Sequence, residues 1–215
     1  FEYAGAAGGF IDRFGYPFCR GRIFSEVEKD NGQFEQNTQI FWASGACFMV
    51  RMDDFNKAGG FDDLFFAHME EIDLCWRLKN MGYKIYSCPE SFVYHVGGHI
   101  ISYGSPIKIY HNFRNSLLMN LKNMTASELL WKFPLRILLD KVYAYKCLFT
   151  GNFKEFKCIA RAHFNIFSNW SKWLKKRKEV QQMVTYRNKA GIYKGSIVYD
   201  FYIKKIKYFQ DLKIN

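Results

Sequence analysis

Residues 59–85, GGFDDLFFAHMEEIDLCWRLKNMGYKI, decide the reading of this chain. A glycine pair and an aromatic turn lead into three carboxylates that open an apolar-periodic segment. Leu74, Leu78 and Met81 recur along one side, with Ile72, Cys75 and Trp76 beside them, which predicts a helix over 70–80 closed by Gly82. Glu70, Glu71 and Asp73 then occupy its first turn, where the positive end of the helix dipole is expected to keep carboxylates ionised. Capping accounts for acids at that place. It does not account for Phe61, Phe65, Phe66 and His68 crowding the same turn, and that surplus suits a walled site for chemistry. Asp73 and Arg77 stand four apart, the spacing of a pair that holds its partners in place.

Upstream, residues 40–52 read as a buried strand with Gly45 at a point of close approach, and Asp53 or Asp54 is expected to cap a short helix ending at Gly59 and Gly60. Residues 10–37 read as loops around short elements; Arg20 and Arg22 there are either surface charge or face a diphosphate. Downstream, 83–87 and 92–95 read as short strands. Residues 106–123 read as a helix, with Tyr110, Phe113, Leu117, Leu118 and Leu121 at helical spacing; its Arg114 either nears phosphate or is a structural arginine. Trp42 and His68 either line an acceptor pocket, by stacking on a sugar face and hydrogen-bonding hydroxyls, or belong to the core.

The chain has 215 residues, 49% of them hydrophobic and 19% aromatic, enough for one domain and an appendage. Six scattered cysteines form no Cys-x-x-Cys pair, so buried free thiols in a reducing compartment are expected, not a zinc knuckle or a redox dithiol. The net charge of +11 is unevenly spread: −5 through Ile107 and +16 from Lys108 onward. Such a division suits an appended surface that meets something anionic. Between 127 and 149 the apolar run is broken by Lys132, Pro134, Arg136, Asp140, Lys141 and Lys146, which argues against a membrane span. This segment and 153–184, where Trp170 and Trp173 adjoin the basic run 172–178, suit helices lying on an anionic membrane or packing on the rest of the protein. The tail from Gly191, with tyrosines and phenylalanines among lysines, reads as a final helix or an adapter.

Four pieces in order carry a resemblance: Trp42-Ala43-Ser44-Gly45-Ala46-Cys47, Gly59-Gly60-Phe61-Asp62, Glu70-Glu71-x-Asp73-Leu74-Cys75-Trp76-Arg77, and Tyr94-His95-x-Gly97-Gly98. Across about 37–115 the chain resembles the inverting family-2 glycosyltransferases of the GT-A type, in particular rhamnosyltransferase-like members that build bacterial surface polysaccharides. The resemblance implies an α/β fold: residues 1–107 as the acceptor-binding half of a GT-A domain, followed by a basic α-helical extension over 108–215. It implies that Glu71 is the catalytic base, standing where the family's Glu-Asp pair has its Asp, with Glu70 as the alternative base or an acceptor-orienting group. Asp73 is expected on the acceptor side in a supporting role. His95 either completes the coordination of a divalent metal, Mg or Mn, or is a hydrogen-bonded loop histidine.

In the family, an Asp-x-Asp motif in an earlier nucleotide-binding half also binds that metal. No Asp-x-Asp occurs here, and residues 1–10, FEYAGAAGGF, suit the interior of a larger protein, so a fragment lacking its donor half is expected. The partners implied are a nucleotide-sugar donor, a glycan or lipid-linked acceptor and an anionic membrane surface, with the enzyme peripheral on the cytoplasmic face. Two other classes remain: a non-catalytic carbohydrate-binding or scaffolding protein, and, less favoured for want of any recognised motif, a basic nucleic-acid-binding module.

Overall fold

The computed structural model describes residues 6–94 and 104–214. The chain forms two compact units, which interleave along the sequence: the first takes the described residues of 1–60, 74–97 and 185–215, the second those of 61–73 and 98–184. The expected division after Ile107 follows charge; the units follow contacts.

In the first unit, strands β1 (Gly9–Asp12), β2 (Pro17–Cys19), β3 (Arg22–Ile23) and β4 (Glu26–Val27) form an antiparallel meander where loops around short elements were expected. A short pair, β5 (Gln39–Ile40) with β6 (Ile85–Tyr86), lies apart from that sheet. The tail returns to the meander, where β7 (Ile192–Tyr193) pairs in parallel with β1, and it then forms a final helix, α7 (Ile197–Tyr202), one of the two expected alternatives. Phe10, Phe18, Ile23, Ile40, Tyr193 and Ile197 form the core between them. Gly191, at φ 78°, permits this return, since a Cβ there would stand 2.4 Å from the Phe41 backbone nitrogen.

The strand expected over 40–52 ends at Ile40. The small residues after Ala43 fold into a turn closed by Cys47 N–H donating to the Ser44 carbonyl, and Met49 is fully solvated. Helix α1 (Met52–Lys57) has Arg51 at its N-cap and no side-chain cap; Asp53 and Asp54 lie inside the first turn, and Asp54 accepts the Tyr83 hydroxyl at 2.7 Å. Residues 92–94 carry no strand. Arg20 is buried, donating to the Ala7 carbonyl and the Ser87 hydroxyl, and Arg22 donates to the Phe24 carbonyl. The cysteines are free; Cys75 and Cys147 are buried as expected, whereas Cys47 and Cys88 are exposed.

The second unit is helical. Ser105 accepts from Lys108 N–H and Pro106 sits at the first turn, starting α3 (Pro106–Asn123) where the sequence predicts it. Thr125 and Glu128 form a reciprocal capping box at the head of α4 (Ala126–Phe149), and Asn152 caps α5 (Phe153–Ser168). Helix α6 (Trp170–Gln182) follows. Helix α3 packs against α4, α5 and α6, and its second half is buried on every side. The unit boundary falls within α2 (Glu70–Asn80), whose bounds match the sequence expectation.

Candidate catalytic site

The acid-rich first turn of α2 is anchored in the second unit by the polar residues of α3. Asp73 is fully buried: Lys122 Nζ donates to one carboxylate oxygen at 2.9 Å and Asn123 Nδ2 to the other at 2.8 Å. The same ammonium reaches Asp62 at 2.5 Å and lies 4.7 Å above the Phe65 ring. Burial alone would raise the Asp62 carboxyl, but Lys122, the Leu64 N–H and Lys176 outweigh it and hold it below the usual carboxylate range. One buried lysine thus ties the aromatic turn to the helix head.

Asn115 fixes the segment between them. Its amide donates to the carbonyls of Ala67 and His68, both at 2.8 Å, across a turn in which His68 (φ 67°) and Met69 (φ 74°) are left-handed. Arg114 donates to the Leu64 carbonyl and to Asn115 Oδ1 at 2.7 Å, with the Trp173 ring 5.3 Å away, and so serves as a structural arginine. Asp73 N–H donates to the Met69 carbonyl at 2.9 Å.

Glu71 stands out electrostatically. Burial, reinforced by neighbouring Glu70, pushes its carboxyl up to about 7, against the backbone N–H groups of Glu71 and Ile72, which favour the charged form. The expectation that the helix dipole alone keeps it ionised is therefore corrected: desolvation wins. One carboxylate oxygen of each of Glu70 and Glu71 is buried without a hydrogen-bond partner, as are His68 Nε2, His111 Nδ1 and Ser116 Oγ, among the described residues. Burial, then Lys108 and His111, lowers the His68 imidazole; burial, then Arg114, lowers His111. Both rings are neutral at pH 7, each able to offer one donor and one acceptor. Phe66 stacks near His111, with ring centroids 5.5 Å apart, and is exposed with Phe61, while Phe65 is buried. The arrangement offers a carboxylate of raised basicity, neutral imidazoles and aromatic surface, a set able to take a proton from a hydroxyl and hydrogen-bond its neighbours.

The other expected site residues have other surroundings. Trp42 belongs to the first unit and is buried, its indole N–H donating to the Phe10 carbonyl at 2.9 Å against the bare face of Gly9, so it serves core packing. Asp73 is taken up by Lys122 and Asn123, which corrects an acceptor-facing position to a structural one. His95 lies outside the described residues. Among the described residues no group of three or more His, Cys, Asp or Glu is arranged to hold a metal ion; the Mg or Mn was expected only together with the donor half. Sequence reasoning missed Lys122 and Asn123 and gave Asn115 no role. Their signal was present, since polar residues seven and eight apart share one face of an otherwise apolar helix.

Comparison with known proteins gives partial matches. No protein-family profile and no solved structure matches the chain. It is 35% identical over 63 residues to the rhamnosyltransferase WbbL of Escherichia coli (strain K12), a match covering 29% of this chain and 24% of that protein. It is 40% identical over 60 residues to an N-acetylglucosaminyl-diphospho-decaprenol L-rhamnosyltransferase of Mycobacterium tuberculosis, covering 28% of this chain and 20% of that one. The matches thus span about a quarter or less of these relatives. They support a glycosyltransferase-type relationship for this part of the chain.

Proposed function

We propose that the complete protein is an inverting GT-A glycosyltransferase of surface polysaccharide synthesis, and that this chain supplies its acceptor side. The observation that carries the reading is the Glu71 carboxyl, raised to about 7 at the head of α2 with one oxygen lacking a partner. A base near the working pH is half ionised there and yet more basic than a solvated carboxylate. In the proposed step, Glu71 takes the proton of an acceptor hydroxyl. The acceptor oxygen bonds to the anomeric carbon from the face opposite the leaving group, and the bond to the nucleoside diphosphate breaks with its electron pair.

Glu70 raises the basicity of Glu71 by charge, and His68, with His111, holds acceptor hydroxyls through neutral nitrogens. Asp73 acts behind them by keeping the helix head in register with α3. The mycobacterial relative is named for a decaprenol-linked N-acetylglucosaminyl diphosphate, which supports a lipid-linked acceptor here. No step is assigned to a metal.

The test is Glu71→Gln in the complete enzyme. Turnover should fall by about 10²- to 10⁴-fold while donor binding stays within a factor of a few. Near-normal transfer by that variant would remove Glu71 from the role. Acceptor binding by a complete wild-type protein that never turns over any nucleotide-sugar would favour the non-catalytic carbohydrate-binding reading instead.

A further inference from the structure

Helix α4 buries an ion pair beside Phe133, Ala144 and Cys147, and leaves a second row of large apolar groups in solvent. Its ion-paired Arg136 and Asp140 are buried, with Arg136 Nε donating to Asp140 at 3.1 Å and His163 Nε2 of α5 3.5 Å from the same carboxylate. Its solvent side carries Leu130 (82% exposed), Leu138 (55%), Val142 (60%) and Phe149 (85%), spaced by eight, four and seven residues along one face. A surface helix ordinarily keeps its large apolar groups on the inward side alone. An apolar row of this length on a helix makes sense when something apolar covers it.

The charges around the row identify the cover. Lys141 and Lys146 on α4, and Lys154, Lys157 and Arg161 on α5, are exposed. The three acids of these two helices are all engaged internally: Asp140 with Arg136, Glu128 in the capping box and with Lys132, and Glu155 with the Tyr143 hydroxyl at 2.9 Å. The outward side therefore presents large apolar groups flanked by cations with no free acid, complementary to an anionic surface with an apolar interior. No helix among the described residues is long and apolar enough to cross a membrane.

We propose that the outward face of α4, continued by the basic start of α5, docks flat on an anionic lipid bilayer. The Trp-rich run over 170–178, which the sequence offered for this role, does not lead the contact: Trp173 is buried against Arg114. Trp131, exposed on α4, lies at the lipid side. The inference rests on this face and not on the transferase reading.

The test is cosedimentation of the whole chain with mixed phosphatidylglycerol–phosphatidylcholine vesicles and with phosphatidylcholine alone. Binding is expected to the anionic vesicles, weakened by salt, and at least tenfold poorer for Leu138→Ser/Phe149→Ser, whose far-UV circular dichroism should match the parent because both positions are exposed. Lys141→Gln/Lys146→Gln should lower the partition coefficient about 30-fold on anionic vesicles, from roughly 1 kcal/mol per lysine, and little on neutral ones. Brominated lipid should quench tryptophan fluorescence in the parent and much less in Trp131→Phe. The proposal is overturned by absence of binding to anionic vesicles. It is equally overturned if the folded Leu138→Ser/Phe149→Ser variant binds like the parent, or if the parent ignores vesicles and forms a dimer that this variant abolishes.

Discussion

The Glu71 carboxyl titrates near 7 in the fold and near 4.3 in an unfolded chain, so the native state binds its proton more tightly. The stability it contributes is complete below about pH 4 and is lost as pH rises through about 7. Glu71→Gln, permanently neutral, should therefore match the parent near pH 4 and exceed it at pH 8, by on the order of 1–3 kcal/mol in urea denaturation. A variant less stable than the parent at pH 8 would contradict the buried-carboxyl account. In the complete enzyme the same group predicts that kcat/KM climbs with pH through an inflection near 7, because only the ionised base accepts a proton. Lys122 is the opposite kind of residue. It pairs with two carboxylates, sharing Asp62 with Lys176, and Lys122→Met should cost about 3–5 kcal/mol by leaving Asp73 buried without its cation. Adding Asp73→Asn to that variant should recover part of the loss.

The elements differ in how openly their sequences announced them. Helices α2 and α3 were legible to the residue because their signals are local: carboxylates and Gly82 bracket one, and Ser105-Pro106 opens the other. The supposed strand over 40–52 was not, because a run of apolar residues cannot reveal that Ser44 and Gly45 will turn the chain and leave Met49 in water. The acids of the site were legible by type and place, but their partners were not, since Lys122 lies 49 residues from Asp73 and reads from sequence as one more surface lysine. Asn115 likewise gave no sign of its partners, the carbonyls of Ala67 and His68, 48 and 47 residues away. Because it ties down the turn that carries His68, Asn115→Leu should lower kcat in the complete enzyme while sparing donor KM, and a KM effect alone would deny that positioning role. Thr125→Ala, which removes a reciprocal cap from α4, should cost about 1 kcal/mol without touching activity, as thermal denaturation and an assay would report.

At the scale of the whole chain, composition revealed a basic second half but not that its end belongs with the beginning. Strand β7 completes the sheet beside β1, and Tyr193, Ile197 and Leu212 sit in the core with Phe10. A chain ending at Val184 should therefore lose the first unit, so that limited proteolysis cuts rapidly within 6–60 while 106–182 stays protected. Equal protection of both regions would mean that β7 is dispensable. Periodicity could not foresee this pairing, since it links strands some 180 residues apart and so depends on the finished fold.

The interleaving of the units also sets how this protein can change. The helical unit is made by two separate insertions into the other, residues 61–73 and 98–184, and Glu71 rides on the shorter one. Neither insertion folds its polar contacts alone: Asp62 and Asp73 need Lys122, and the carbonyls of Ala67 and His68 need Asn115. Recombination that exchanges a single contiguous block between relatives would break this set, whereas paired exchange of both insertions would carry the base and its scaffold intact. Such a chain is inherited as a matched pair of inserts, and a chimera built to alter its specificity has to respect that pairing.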